Sequence, residues 1–154
     1  MKKLYHNLYV GGDKDCIEFK GAIVHACQSC FVRGVKGNTG GNIENKKVYE
    51  SNKNLYLNLL DISSLSFEYA FPMIKRSMEF IDEYINDMGV LVHCNFGMSR
   101  SPSIALLYMA RKGYIDNASF KDALIDFHKI YTYYSPGMGM YRYFDNYWYE
   151  IMNF

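Results

Sequence analysis

The chain has 154 residues, 49% of them hydrophobic and 21% charged, which is typical of a single globular domain over residues 1–154. Its net charge of +1 argues against a strong overall field that would attract nucleic acid or a membrane surface. No apolar run reaches the roughly 18 residues that span a bilayer, and the first seven residues are too polar for a signal-peptide core. Four cysteines without a disulfide-framework spacing favour a reducing cytoplasm.

Three short strands are predicted in the first half of the chain. Residues 4–10 alternate weakly and end at Gly11-Gly12, which predicts an edge strand closed by a turn. The short apolar runs 22–26 and 55–60 are typical of buried strands. Residues 34–45 carry four glycines and three asparagines among few apolar side chains, which predicts a flexible surface loop.

A helix and a further strand are predicted next. An apolar stripe at helical spacing predicts a helix over residues 71–88, with Pro72 in its first turn and Gly89 as its C-terminal cap. The apolar run 90–92 predicts a strand. It leads into residues 92–103, which have the pattern of a strand, a tight loop and the N-terminus of a helix.

The last third of the chain is predicted to be helical. One helix has Pro102 in its first turn and ends at Gly113. Ser119 with Asp122 resembles a capping box that opens a second helix. Residues 135–137 break that helix. A last packing helix is indicated by apolar side chains at helical spacing: Tyr141, Phe144 and Trp148.

Strands that alternate with helices predict an α/β fold with a central, mostly parallel sheet flanked by helices. In such sheets, ligands bind beyond the carboxyl ends of the strands. Cys94 and Asp61 each follow a predicted strand. The sequence therefore predicts that both residues lie at the same rim of the sheet.

The loop that Cys94 opens and Arg100 ends is predicted to bind an anion. Backbone N–H groups of the loop and of the first helical turn converge on one point, where the helix dipole adds positive potential. Gly97 permits the positive φ that turns successive N–H groups inward. Because a thiol in this field ionises readily, the loop predicts a reactive thiolate beside a phosphate-sized anion site.

The residue types in this loop fit phosphoryl transfer through a covalent intermediate. Cys94 is the expected nucleophile, and the planar guanidinium of Arg100 is expected to bind two phosphoryl oxygens. We expect His93 to orient the loop by hydrogen bonding, and the Ser101 hydroxyl to help the thiolate leave when the intermediate is hydrolysed. This chemistry requires neither a metal nor another cofactor.

The leaving oxygen needs a proton, so an acid is expected at a strand end that faces the loop. Asp61 directly follows a predicted strand, and it is the one aspartate between Asp15 and Asp82. Glu68 is the alternative carboxylate, but its place at a helix entry favours an orientation toward solvent. We predict that Asp61 acts as the acid in the first step and as the base for water in the second.

The motif of His93-Cys94, five residues and then Arg100-Ser101 resembles the signature of the cysteine phosphatases, and its continuation resembles the dual-specificity phosphatases. The resemblance covers nearly the whole chain. It includes three further segments: residues 8–12, which are similar to the opening strand of that family, residues 57–61, similar to its approach to the acid, and residues 134–136, similar to a late segment that faces the site.

The resemblance implies a dual-specificity phosphatase-like fold, with Cys94 as nucleophile, Arg100 as phosphate clamp and Asp61 as general acid. It also implies that the loop backbone binds phosphate through Asn95, Phe96, Gly97, Met98 and Ser99. Two features depart from relatives. Gly137-Met138 stands where many carry an asparagine, so no side-chain contact is implied there. No Lys-Asn-Arg-Tyr segment is present, which favours a shallower pocket and broader substrate use than in tyrosine-specific relatives.

These features predict a monomeric, cytoplasmic protein phosphatase that acts on phosphotyrosine and on phosphoserine or phosphothreonine through a phosphocysteine intermediate. The expected partner is a phosphorylated protein or peptide, with no nucleic acid and no membrane. Two alternatives remain open. One is the same chemistry on a phosphoinositide or an RNA 5′-phosphate, and the other is a phospho-binding module with little turnover.

Two further clusters have weaker signals. Cys27 and Cys30 have the spacing of half a zinc site or of a redox pair. Because His25 alone cannot complete tetrahedral ligation, incidental buried thiols are the favoured interpretation. A second hypothesis is an apolar rim around a flat aromatic phosphoester, made by Phe96, Met98, Tyr133 and Tyr134.

Overall fold

The computed structural model describes residues 1–39 and 46–154, with the side chains of residues 38 and 39 left out of the description. Within these ranges, six strands form one sheet in the order β1-β2-β6-β3-β5-β4. The four inner strands are parallel, and the two edge strands pair antiparallel with their neighbours. The strands are β1 Lys2–Tyr5, β2 Leu8–Gly11, β3 Ala22–His25, β4 Val48–Ser51, β5 Asn54–Leu57 and β6 Val90–His93.

Helices cover both faces of this sheet. The third to sixth helices pack on one another on one face, and the first two lie on the other. The helices are α1 Asp15–Glu18, α2 Gln28–Thr39, α3 Phe67–Tyr84, α4 Arg100–Arg111, α5 Phe120–Ile130 and α6 Met138–Met152. The predicted α/β class with a mostly parallel, helix-flanked sheet is therefore confirmed.

Helix α4 lies at the centre of the core. Every residue from Arg100, the first of the helix, to Ala110 is buried. The helix contacts strands β2 and β6 and helices α3, α5 and α6. A helix that is apolar almost all round is stable only when it is enclosed in this way. In the described residues, no helix is both long and apolar enough to cross a bilayer.

The single edge strand predicted over residues 4–10 is wrong. The chain forms a hairpin instead, with β1 and β2 joined at His6-Asn7, where His6 has a positive φ of 49°. The strands predicted from residues 22 and 90 are confirmed as β3 and β6. The strand predicted over residues 55–60 ends at Leu57, and its antiparallel partner β4 was not predicted.

The flexible loop predicted over residues 34–45 is wrong for its first half, because residues 34–39 belong to α2. Residues 40–45 lie outside the described ranges. Gly34 is a packing requirement in this helix, since a Cβ there would lie 2.6 Å from the ring of Tyr56. Buried Phe31 and Val35 anchor the same face, so burial outweighs the low helix propensity of glycine.

Helix α3 begins at Phe67, four residues before the predicted start, because Ser66 caps it by accepting a hydrogen bond from the Tyr69 N–H. Pro72 therefore lies inside the helix. The helix ends at Tyr84, so the prediction of Gly89 as its cap is wrong. The helices predicted around Pro102, after Ser119 and around Phe144 are confirmed, and the Ser119 side chain accepts from the Asp122 N–H as the capping box requires.

Candidate active site

Strand β6 runs between β2 and β3 at the middle of the sheet and delivers Cys94 to its carboxyl rim. Residues 94–100, here named the signature loop, connect this strand to α4. The loop is tied to the neighbouring strand because the Cys94 N–H donates to the Gly11 carbonyl oxygen at 3.3 Å. The position beyond a central parallel strand is where α/β sheets bind ligands.

The Cys94 sulfur lies beside a hydroxyl. Its Sγ is 3.2 Å from the Ser101 Oγ, and that oxygen is also 3.2 Å from the Gly11 carbonyl oxygen. A hydroxyl has one proton, so Ser101 donates to either the sulfur or the carbonyl. When the sulfur carries negative charge, donation to it is the stronger bond. The predicted role of Ser101 as a donor to the thiolate is therefore geometrically available.

Gly97 sets the turn of the signature loop. Its φ is +71°, in the left-handed region that favours glycine, and a Cβ there would lie 3.0 Å from the Gly11 carbonyl oxygen. The hydroxyl of Tyr131 donates to the Gly97 carbonyl oxygen at 2.7 Å. Burial raises the pKa of Tyr131 to about 12, so the phenol keeps its donor proton at neutral pH.

Arg100 is the first residue of α4 and is only 5% exposed. Its Nη1 donates to the Leu59 carbonyl oxygen at 2.9 Å. A guanidinium has four further N–H donors in the same plane, which suits two oxygens of a bound phosphoryl group. Because Leu59 lies two residues before Asp61, this bond also fixes the segment that carries the predicted acid.

The signature loop is held from the other side by residues 134–137. The Ser135 N–H donates to the Met98 carbonyl oxygen at 2.8 Å, and the Gly137 N–H donates to the Ser99 Oγ at 2.8 Å. The resemblance implied no side-chain contact at Gly137, and the backbone makes the contact instead. The Tyr134 hydroxyl, which bonds Ser103 Oγ at 2.7 Å, is buried.

Asp61 is exposed and stands at the mouth of the same cavity. Its Oδ1 lies 3.5 Å from the position that a Cβ on Gly137 would take. Glu68, the alternative acid, is an exposed residue of α3 that does not line the cavity. The cavity has a volume of about 200 Å³ and is lined by Asp61, Cys94, Phe96, Met98, Ser99, Arg100, Ser135 and Gly137.

His93 does not line this cavity, although it directly precedes Cys94. It is fully buried, with Nε2 2.7 Å from Nδ1 of His25 and Nδ1 3.4 Å from the Cys94 carbonyl oxygen. Burial lowers the pKa of His93, which favours the neutral ring. These contacts fit the predicted orienting role, since the ring contacts the backbone of the loop from behind.

The hypothesis of an aromatic rim fits some of its residues and not others. Phe96 is 73% exposed and lines the cavity together with Met98. Tyr133 is 55% exposed but does not line the cavity. Tyr134 is 2% exposed, so its assignment to the rim is wrong. Its side chain points into the core, where its hydroxyl is hydrogen-bonded to Ser103.

Cys27 and Cys30 are buried free thiols, as the sequence favoured, but Cys30 has more potential ligands around it than the sequence spacing indicated. Ligand atoms of Cys16, His25, Cys30 and His93 all lie within 4.8 Å of one another. A hydrogen bond from Cys27, together with the guanidinium of Arg33, lowers the pKa of Cys30 to about 6. Sequence spacing could not reveal this cluster, because Cys16 and His93 are separated along the chain and meet only through the packing of α1 on β6.

Sequence reasoning missed the groups that hold the loop from a distance. The Tyr131 hydroxyl, the Leu59 carbonyl and the Gly137 N–H all contact the loop from segments 34 or more residues away. Two of the three are backbone groups, which carry no side-chain signal. Tyr131 follows Leu124 and Phe127 at the helical spacing of core residues, so no local pattern indicates its hydroxyl contact.

The chain was compared with known proteins by sequence and by structure. No protein-family model matches. A curated Dictyostelium discoideum protein named "Probable dual specificity protein phosphatase" is 39% identical over 77 residues. The match covers 50% of this chain and 17% of that protein, so the chain spans a small part of the relative's length.

Solved structures share the fold across almost the whole chain. The crystal structure of DUSP15 has a TM-score of 0.69 and 16% identity, covering 99% of this chain and 90% of that one. The human tyrosine phosphatase-like serine/threonine/tyrosine-interacting protein has a TM-score of 0.64 and 19% identity, with coverages of 94% and 93%. The Yvh1 phosphatase domain from Chaetomium thermophilum has a TM-score of 0.63 and 21% identity, with coverages of 95% and 92%.

At these identities the solved structures establish the fold, which agrees with the dual-specificity phosphatase-like fold that the signature motif implied. The Dictyostelium relative adds a sequence match to a protein named for the same family. The chain also carries the cysteine and arginine spacing of the signature, and both side chains reach one cavity. The chain therefore has the fold of the dual-specificity phosphatases and resembles that family of cysteine-based phosphatases in its signature motif.

Proposed function

We propose that the protein is a phosphatase that hydrolyses phosphotyrosine, and phosphoserine or phosphothreonine, in proteins through a phosphocysteine intermediate. The observation that carries this proposal is that Cys94, Arg100 and Asp61 line one cavity of about 200 Å³. A nucleophile, a phosphate clamp and a carboxyl group at one small opening are the groups that the reaction needs. The chemistry calls for no cofactor.

In the first step, the Cys94 thiolate attacks phosphorus in line with the leaving oxygen. A sulfur–phosphorus bond forms as the phosphorus–oxygen bond to the substrate breaks. Arg100 binds the equatorial oxygens and stabilises their charge in the transition state. Asp61, at the mouth of the cavity, gives its proton to the leaving oxygen, so the dephosphorylated hydroxyl departs neutral.

In the second step, water attacks the phosphocysteine. Asp61, now a carboxylate, takes a proton from the water, and inorganic phosphate forms as the sulfur–phosphorus bond breaks. The sulfur leaves as a thiolate 3.2 Å from the Ser101 hydroxyl, whose donated proton stabilises the charge. The enzyme returns to its starting state.

A protein substrate fits the surroundings of the cavity better than a polyanion does. Within the described part of the chain, Arg100 is the one basic residue among those lining the cavity. Phosphoinositides and RNA ends usually require further lysines or arginines near the phosphate. A second opening of about 440 Å³ shares Asp61 and Arg100, and its other lining residues are uncharged: Gln28, Ser29, Val32, Leu60 and Asn95.

This second opening suits the residues that flank a phosphorylated side chain in a peptide. Uncharged polar groups contact peptide backbone without selecting for charge, which agrees with the broad substrate use expected from a shallow pocket. We include a cytoplasmic location in the proposal. It is supported by the free state of Cys16, Cys27, Cys30 and Cys94, all of which lie in the described residues.

The direct test is steady-state release of phosphate from a small aryl phosphate and from a phosphotyrosine peptide. Cys94→Ser is expected to lower kcat by at least about a thousandfold, because it removes the nucleophile. Cys27→Ser, which changes another buried thiol outside the cavity, is the matched control and should retain most of the activity. Equal turnover by Cys94→Ser and the unmodified protein would contradict the proposal.

The two alternatives separate in the same assays. A higher kcat/KM for an inositol phosphate or an RNA 5′-phosphate than for the phosphopeptide would favour the polyanion substrate. Tight binding of the phosphopeptide without release of phosphate would instead indicate a binding module.

A further inference from the structure

Four sulfur and nitrogen atoms converge behind the signature loop, on the sheet face that α1 and α2 cover. One ligand atom each from Cys16, His25, Cys30 and His93 lies within 4.8 Å of every other. Three of the four side chains are buried and Cys16 is half-buried. Cys94, the proposed nucleophile, is not a member of the group, so the cluster is distinct from the phosphoryl-transfer site.

The fold brings these residues together through strand register. His25 and His93 are the last residues of the parallel strands β3 and β6 and are direct neighbours in the sheet. Side chains paired in register point to the same face, which here is covered by α1 and α2. Helix α1 supplies Cys16, and the first turn of α2 supplies Cys30.

The spacing fits one tetrahedral metal ion. Zinc bonds of about 2.3 Å to sulfur and about 2.0 Å to nitrogen place tetrahedral ligand atoms roughly 3.3 to 3.8 Å apart. The facing nitrogens of His25 and His93 are 2.7 Å apart and would open by about 0.6 Å around an ion with that geometry. The remaining separations are all within 4.8 Å, so none exceeds a tetrahedral edge by more than about 1.5 Å.

The groups around the cluster hold the ligands in the required orientation. Each histidine turns one ring nitrogen toward the other histidine, while its second nitrogen faces an oxygen. His25 Nε2 is 2.9 Å from Asn54 Oδ1, and His93 Nδ1 is 3.4 Å from the Cys94 carbonyl oxygen. Metal-bound histidines characteristically donate their second N–H to such an oxygen, which fixes the tautomer and the ring.

The sulfur side has similar support. Arg33 Nη2 donates to Cys30 Sγ at 3.1 Å, a contact that stabilises negative charge on the sulfur. The ring of Tyr56 stacks on His25 with a centroid distance of 4.4 Å and limits its rotation. A cavity of about 260 Å³ reaches the cluster, which gives an ion an entry path past Cys16 and Cys30.

We propose that Cys16, His25, Cys30 and His93 form a zinc-binding site behind the signature loop. Two thiolates with two imidazoles in a tetrahedron are a ligand set typical of structural zinc. Both cysteines bind as thiolates, with any remaining thiol proton released to solvent, and the histidines bind as neutral rings. The two negative charges of the thiolates neutralise the ion.

Such an ion would fasten α1, which is a single turn without buried residues, to the centre of the sheet. The segment before α1 contacts the signature loop, since the Asp13 N–H donates to the Asn95 carbonyl oxygen at 3.0 Å. His93 is bonded to the loop from the other end, through the Cys94 carbonyl. Zinc would therefore brace the signature loop from behind while leaving the Cys94 sulfur free.

The test is zinc content by elemental mass spectrometry. Protein purified under a non-chelating reductant is equilibrated with Zn²⁺ and passed through a weak chelator. We expect about one zinc per chain, and loss of most of it in Cys16→Ser and in His25→Gln. With Co²⁺ in place of Zn²⁺, we expect the visible absorption of tetrahedral cobalt with sulfur-to-metal charge transfer, which is absent from Cys16→Ser.

Cys94→Ser is the matched control, because it changes a thiol next to His93 without touching the cluster, and it should keep the full zinc content. Circular dichroism of each variant checks that it is folded. Because Cys16 is half-buried on a single turn, its substitution is the variant best suited to remain folded. Zinc-free wild type after this treatment, or equal zinc in wild type and Cys16→Ser, would overturn the proposal. So would zinc that is lost in Cys94→Ser, since the metal would then lie on the nucleophile.

Discussion

The Cys94 sulfur contacts solvent only through its cavity, since the residue is 2% exposed. Substrate phosphate must therefore enter to meet it, whereas Asp61 stays at the exposed mouth. The separation suits their proposed roles, because the nucleophile attacks phosphorus on one side and the acid protonates the oxygen that leaves on the other. Arg100, which lines the same cavity, is fixed by its bond to Leu59.

Asp61→Asn tests the acid at the residue scale. The amide cannot donate an acidic proton, so kcat/KM should fall by about 10²- to 10⁴-fold for alkyl or poorly activated aryl phosphates. The loss should be much smaller for an aryl phosphate whose leaving group is a weak base. Rates measured over a series of leaving groups check this. A uniform loss across the series would remove Asp61 from the role.

Glu68→Gln provides the matched control for Asp61→Asn. Glu68 is the other nearby carboxylate, and its side chain is exposed on α3 away from the cavity. Its neutralisation should leave the leaving-group dependence unchanged. If the rate depended more steeply on the leaving group in Glu68→Gln than in Asp61→Asn, Glu68 and not Asp61 would be the general acid.

The anion-binding character of the signature loop could be predicted from the sequence, because the thiol, the glycine and the arginine lie within seven consecutive residues. The hydrogen bond of Tyr131 to that loop joins residues 34 apart and had no local signal. The position of Asp61 near the cavity could be predicted only because it follows a strand. The carboxyl ends of parallel strands share one rim of the sheet, but this rule does not predict the distance between Asp61 and Cys94.

At the scale of elements, the position of the acid depends on helix α6. Gly139, in its first turn, is buried against residues 62 and 63, and a Cβ there would overlap the Ile62 carbonyl oxygen. This approach is closer than any side chain allows. The glycine thus permits α6 to press the segment that carries Asp61 against the cavity.

Gly139→Ala is expected to displace that segment. The new methyl group forces the Ile62 carbonyl away, which should cost about 1 to 3 kcal/mol of stability and lower kcat through misplacement of Asp61. Urea unfolding and turnover measure the two effects. Gly37→Ala, in α2 with open space around its Cβ, is the control and should be neutral or slightly stabilising. Unchanged activity and stability in Gly139→Ala would contradict this role of the glycine.

Tyr131→Phe tests how the end of α5 holds the signature loop. Removal of the hydroxyl leaves the Gly97 carbonyl without its 2.7 Å donor and should cost about 0.5 to 1.5 kcal/mol in the binding of the phosphoryl group. We expect KM for an aryl phosphate to rise several-fold. Tyr149→Phe, at a residue that is 76% exposed on α6, should have no effect. Equal KM values in Tyr131→Phe and wild type would show that the loop keeps its shape without this bond.

Elements with a strong local pattern were predicted, and those that depend on distant partners were not. Ser119 capped its helix as expected, because the capping box lies within four residues. Helix α2 was missed since its glycines lower its propensity, while its stability comes from burial of Phe31 and Val35 against the sheet. Strand β4 was missed because its side chains are only partly buried and do not alternate clearly.

At the scale of the whole molecule, the site is coupled to stability because its parts come from distant segments. Arg100 begins the central helix α4, its partner Leu59 follows β5, and residues 134–137 close over the signature loop from the C-terminal side. Because these segments come together only in the folded state, the phosphate site exists only in the folded state. A ligand that binds only the folded state must raise the free energy of unfolding.

Inorganic phosphate should therefore shift the unfolding equilibrium. At a concentration 100 times its Kd, the stabilisation is about 2.7 kcal/mol, observable as a higher melting temperature. Arg100→Gln should lose most of this gain, whatever its stability without phosphate. Chloride at matched ionic strength is the control for salt effects. An equal gain in Arg100→Gln and wild type would mean that phosphate binds elsewhere.

The fold class could be predicted from the alternation of strands and helices, and the solved structures confirm it across the chain. The strand order could not be predicted, because nothing local specifies that β6 inserts between β2 and β3. That insertion sets His93 beside His25 and thereby helps to form the cluster behind the loop, which no local spacing in the sequence indicated.

The central claim is that Cys94 carries the phosphoryl group, and rapid quenching under denaturing conditions tests it most directly. Ser101→Ala removes the hydroxyl 3.2 Å from the sulfur and should slow hydrolysis of the intermediate more than its formation. During turnover of an aryl phosphate by this variant, peptide mass spectrometry is expected to find one phosphoryl group on the Cys94 peptide. Continued turnover with no phosphoryl group on Cys94, or with the group on another residue, would contradict the mechanism.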